Sequence, residues 1–117
     1  MDPKKPQHYT IFMLVRATPA WLGLVPNDRF KYVDQVIRPI LAAHQPVKLR
    51  FFDSEAFNAR ISDVMMWETD DLAAYSSLIE ALRETLFWDH YFQIVEIMPS
   101  VENCFAQHYG VAALGAA

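Results

Sequence analysis

At 117 residues the chain has room for one hydrophobic core and no second, and its 53% hydrophobic and 21% charged residues are ordinary for a globular protein. The net charge of −4 argues against nucleic acid, which selects a basic face. A single cysteine, Cys104, excludes an internal disulfide framework and a thiolate metal cluster. No apolar run approaches the roughly 20 residues of a membrane helix, and the N-terminal residues flow into a strand without a cleavable leader. The expectation is a cytoplasmic chain with no membrane partner. Three Trp, five Tyr and eight Phe are more than so small an interior hides, which points to a pocket or an interface.

Residues 8–17 are β-branched and aromatic and predict the first strand, apolar on both faces: Tyr9, Ile11, Met13 and Val15 on one, Phe12 and Leu14 on the other. Residues 18–26 form a proline-punctuated connection in which Trp21 is unusually apolar for a loop. Asn27 reads as the N-cap of a helix carrying Phe30, Val33, Ile37, Ile40 and Leu41, with Pro39 expected to kink it or end its first part. Residues 47–53 and 62–69 predict a strand hairpin. Thr69-Asp70-Asp71 starts a second helix with the stripe Leu72, Tyr75, Leu78, Ile79, Leu82 and Leu86. Residues 92–98 predict the last strand, ended by Pro99, with Val95 and Ile97 opposite Ile94 and Met98. The region after residue 110 reads as a frayed tail, which leaves a core of about 8–109 in one domain.

The order is β-α-β-β-α-β: an α+β, ferredoxin-like domain with a four-stranded antiparallel sheet. Two helices cover one face of such a sheet. The first strand is apolar on both faces, and leaving the second exposed would forfeit several kcal/mol, at roughly 1.5–3 per side chain. A second copy packed sheet to sheet is the economical solution, so a homodimer is expected.

The segments Thr18-Pro-Ala-Trp-Leu22, Asp53-Ser-Glu-Ala-Phe57, Ser62-Asp63, Glu68-Thr-Asp-Asp-Leu-Ala-Ala-Tyr75 and Leu78-Ile-Glu-Ala-Leu-Arg-Glu-Thr85 resemble the darcynin family of small bacterial proteins, over roughly residues 9–103. That resemblance implies a dimeric α+β barrel, a superfamily of cofactor-free monooxygenases, cyclases, isomerases, haem enzymes and ligand-sensing modules. Fold analogy does not choose among them.

Several polar groups are candidates to face a cavity between helices and sheet. Tyr75 is either a core tyrosine or a hydrogen-bond donor to a bound phenol or carbonyl. His90, flanked by Trp88 and Tyr91, is either a capping residue or a general base. Arg16 and Arg50 either counter a ligand's negative charge or pair with Glu68 or Glu96. Asp53, Glu55 and Asp63 cluster at the hairpin, through turn chemistry or as a site in which one carboxylate's pKa is raised. Trp21 and Trp67 are expected to line the cavity, although Trp67, in a strand, is more simply a core residue. Cys104 reads as a buried thiol. The histidines show no metal-binding spacing and there is no phosphate loop, so neither metal nor cofactor is called for. The catalytic candidates are therefore His90, Tyr75 and Arg16, with Trp21, Arg50, Trp67 and Asp53 binding substrate. The leading reading is an enzyme that transfers protons, cyclises or oxygenates an aromatic or polyketide-like molecule. A non-catalytic ligand-binding or interaction dimer is the alternative, and haem bound through His90 a third.

Overall fold

The computed structural model describes residues 7–115. Strand β1 (Tyr9–Ala17) leads into two short helices, α1 (Pro19–Leu22) and α2 (Pro26–Tyr32), a π-helical turn at Val33–Ile37, and α3 (Arg38–Ala43). The hairpin β2 (Lys48–Asp53) and β3 (Asp63–Thr69) follows, then α4 (Leu72–Arg83), β4 (Phe92–Ser100) and α5 (Cys104–Tyr109). The strands form one antiparallel sheet in the order β2-β3-β1-β4, the ferredoxin-like α+β arrangement. No helix among the described residues is long and apolar enough to cross a membrane.

One sheet face carries the core. Ile11, Met13, Val15 and Trp67 are fully buried there beneath Ile37 of the π turn and Leu78 and Leu82 of α4. Among the described residues the opposite face has no layer of its own. Phe12, Leu14, Val64 and Met66 are only half-buried on it, while Phe52 and Met98 are 41% and 38% exposed.

Local chemistry explains several departures from the sequence pattern. The helix after the first connection starts at Pro26, with Val25 as its cap, so Asn27 lies inside it; proline at the first helical position loses no bond the helix would have made. Pro39 neither ends the helix nor breaks the path, because the π turn before it absorbs the register change and Pro39 occupies the first turn of α3. Pro99 does not end β4. It pairs with Ile11 on an edge strand, where a residue without an N–H is tolerated. Leu14 pairs with Glu96 and Val15 with Ile94, so Val95 is a bulge. The extra residue brings Ile94 onto the same face as Ile97, overturning the simple alternation. Helices α1 and α5 have no counterpart in the periodicity.

Candidate functional site

Two cavities open along the helix-bearing side of the sheet and share Trp21, Val33, Phe51 and Phe92. The inner one, about 340 Å³, lies between helices and sheet and is lined by Tyr32, Leu41, Leu49, Met65 and Phe87 among others. The outer one, about 630 Å³, adds the polar groups Arg16, Arg29, Asp53, Glu55, Ser62 and Asp63. The arrangement is an apolar, aromatic chamber with an ionisable mouth, the usual build of a small-molecule site.

Trp21 is held in place from both sides. Thr18 caps α1, accepting the Trp21 N–H at 3.4 Å, and its hydroxyl lies 2.6 Å from the His90 carbonyl and 3.0 Å from that of Tyr91. The Trp21 ring then meets Tyr91 and Phe92 at 5.2 and 5.1 Å and Tyr32 at 6.0 Å. The Tyr32 hydroxyl accepts the Phe87 N–H at 2.9 Å, which ties α2 to the turn before β4.

The carboxylates are placed by strand register. Asp53 and Asp63 are direct cross-strand partners in the β2–β3 pair, and one oxygen from each of Asp53, Glu55 and Asp63 lies within 4.8 Å of the others. Asp63 is buried. Ser62 donates its hydroxyl to it at 2.7 Å and accepts the Ala17 N–H at 2.7 Å. Burial pushes the Asp63 carboxyl up from 3.8 to about 6; the Ser62 hydroxyl opposes this, and the negative charges of Glu55 and Asp53 add to it. The two ion pairs among the described residues, His8–Asp70 and Arg38–Asp34, involve none of these carboxylates. Arg29 is half-buried in the wall of the outer cavity, and its Nε is buried without a hydrogen-bond partner.

Of the residues singled out from the sequence, Arg16, Trp21 and Asp53 come together in the outer cavity. Tyr75 and His90 line neither cavity, so the expected convergence of the two is not found there. Tyr75 is half-buried against the core, and burial raises its pKa. His90 is exposed, stacked at 5.1 Å on Tyr91, and contributes its backbone carbonyl. Trp67 is wholly buried with an unpartnered Nε1 and also lines neither cavity. Arg50 lies over the Phe52 ring at 5.3 Å on the opposite sheet face, and neither it nor Arg16 is in an ion pair with another described residue. Cys104 is exposed rather than buried. His44 caps α3, its Nδ1 2.7 Å from the Ile40 carbonyl. No histidine lines either cavity, so these lining residues do not fit a haem held by an imidazole. Sequence reasoning missed Arg29, Tyr32, Phe51 and Phe92 as lining residues. Their aromatic and cationic character was visible, but not the side they face.

The sheet order and helix placement define a chlorite dismutase-like α+β fold. A mutant chlorite dismutase from Candidatus Nitrospira defluvii superposes with a TM-score of 0.72 at 12% identity, covering 93% of this chain and 45% of that one. The same enzyme in complex with imidazole gives 0.68 at 13% identity, over 80% and 39%. The chain thus spans less than half the length of those structures, and at such identity the likeness concerns the fold alone. The family model Darcynin, a domain of unknown function, matches residues 3–117. A darcynin homolog of Granulibacter bethesdensis is 48% identical over 108 residues, covering 92% of this chain and 87% of that protein. Another, from Streptomyces avermitilis, is 46% identical over 103 residues, 87% and 85% of the respective chains. The chain belongs to the darcynin family.

Proposed function

We propose that the protein binds a small molecule with a flat, apolar body in the joined cavities and moves a proton to or from it through Asp63, working as a homodimer paired through the open sheet face. The observation that carries this reading is a buried carboxyl of pKa about 6 in the wall of an aromatic-lined cavity. A base with a pKa near the working pH combines a populated anion with useful proton affinity. Trp21, Phe51 and Phe92 stack against the ligand body, and Arg16 and Arg29 counter the negative charge that develops when a C–H or O–H proton leaves. Asp53 and Glu55 keep the carboxyl of Asp63 protonated to higher pH. The proposal gives no catalytic role to the Tyr75 hydroxyl or the His90 ring. Pairing follows from the open face, whose centre is Phe12, Leu14, Val64 and Met66.

Proton exchange tests the chemistry. Phenylacetone, incubated with the protein in D2O and followed by 1H NMR, is expected to lose its benzylic signal faster than in buffer. The rate rises with pH through about 6, where Asp63 becomes the anion. Asp63→Asn should lower the rate by about 10²–10⁴-fold, and Trp21→Ala should weaken binding. Saturable binding with no exchange would assign the non-catalytic alternative. Neither binding nor exchange across a set of aromatic ketones, acids and phenols would overturn the proposal.

A further inference from the structure

We infer that the segment after β4, the arm Val101–Gly115, docks against a second copy of the chain. From Cys104 to Gly115 every residue except Ala106 is exposed, although the arm carries Phe105, Tyr109, Val111 and Leu114, the last three 72%, 56% and 77% exposed. Large side chains concentrated on one short segment and unburied by their own domain mark an interaction surface. The arm also has a defined shape. Asn103 adopts a left-handed conformation at φ 49°, and its side chain brackets Leu114, accepting the Leu114 N–H at 2.9 Å and donating to its carbonyl at 3.4 Å. Gly110, at φ 65°, turns the chain after α5, and the Val111 N–H closes on the Ala106 carbonyl at 3.1 Å. A hook held by its own hydrogen bonds presents its apolar side chains outward.

The occupant is a second copy because of where the arm starts and what sheet pairing lacks. The arm leaves directly from Ser100, which pairs with Thr10 at the border of the open sheet face. Four strands about 4.8 Å apart and about seven residues long give that face a footprint of about 400 Å². A standard interface buries about 800 Å² of accessible surface per partner, a larger patch than this projected face, so contacts beyond its rim complete it. An arm rising from the border of the face and reaching across to the facing copy supplies the remainder. The inference rests on the pairing proposed above and adds the arm as its second contact.

The sole cysteine, exposed on α5, provides a direct test. A benzophenone maleimide attached to Cys104 is photolysed in a mixture of unlabelled and 15N-labelled full-length protein, and the cross-linked peptides are read by mass spectrometry. Cross-links joining light and heavy chains are expected; cross-links confined within one chain would overturn the inference. Sedimentation equilibrium on the full chain and on the triple variant Phe105→Ser, Tyr109→Ser and Leu114→Ser should show dimer association weakened by at least about 100-fold in the variant. All three side chains are exposed, so an unchanged far-ultraviolet circular dichroism spectrum certifies the fold of the variant. A variant that pairs as tightly as the parent would refute the arm while leaving sheet pairing intact. A full chain monomeric at all concentrations would refute both, and so would a Met66→Glu variant as dimeric as the parent, because the arm is placed by the sheet pairing it completes.

Discussion

Strand pairing sets the buried Asp63 directly across from the exposed Asp53, with Glu55 close by at the cavity mouth. Folded Asp63 therefore keeps its proton to about pH 6, whereas an unconstrained aspartate releases it near 3.8. Between those values the folded state binds more protons than the unfolded one, so this group's contribution to stability is full below about 3.8 and lost as pH rises through 6. Asp63→Asn should accordingly leave stability at pH 4 nearly unchanged and raise it above pH 7 by roughly 1–2 kcal/mol. Urea denaturation at the two pH values reads this; equal effects at both would contradict it. Thr18→Ala removes the cap of α1 and the tie to the His90 and Tyr91 carbonyls, and should cost about 1–2 kcal/mol while loosening Trp21, visible as a shift in tryptophan emission. The carboxylate cluster and Trp21 were legible in the sequence because each was anomalous where it stood: acids crowded at a hairpin, an indole in a loop. His90 and Tyr75 attracted attention by their chemical type. Which way they point depends on the turn at Asp89 and the rotation of α4, and neither leaves a mark in local sequence.

At the scale of elements, the four strands follow hydrophobic period and turn chemistry and lie within a residue or two of the pattern, whereas α4 ends at Arg83, three residues short of Leu86, the last position of its predicted stripe. Elements whose geometry depends on a neighbour were not legible. The Val95 bulge exists because β4 must match β1 on both sides of it, and the π turn because Pro39 must be accommodated above a sheet. The bulge makes a sharp prediction. Deleting Val95 restores a regular ladder with both flanking registers preserved, so the domain should fold with a loss under about 2 kcal/mol. Deleting Ile97 absorbs the bulge differently and moves Glu96 opposite Met13, into the core face. That position is 38% exposed in Ile97, so the glutamate stays hydrated and the variant should fold, losing about 1–2 kcal/mol more than the Val95 deletion through the missing apolar side chain. Comparable melting temperatures for the two deletions would show that the register assigned to β4 is wrong.

For the molecule as a whole, one sheet face is buried under helices and the other bears apolar side chains with no layer above them. The two-sided hydrophobicity of β1 announced this in the sequence, because a strand apolar on both faces needs cover on both. Met66→Glu sets a charge at the centre of the open face and touches nothing in the core, since Met66 pairs between Phe12 and Arg50 on that side. It should leave the monomer folded and abolish pairing, as read by light scattering at concentrations where the parent is dimeric. The central claim joins both halves of the molecule: a paired chain whose aromatic cavity holds a small molecule beside Asp63. Native mass spectrometry on protein purified from its own host tests it most directly, with Trp21→Ala prepared in parallel. The account predicts twice the chain mass plus a discrete small-molecule increment, with the increment lost in the variant. A single chain mass without any increment, at every concentration sampled, would contradict it.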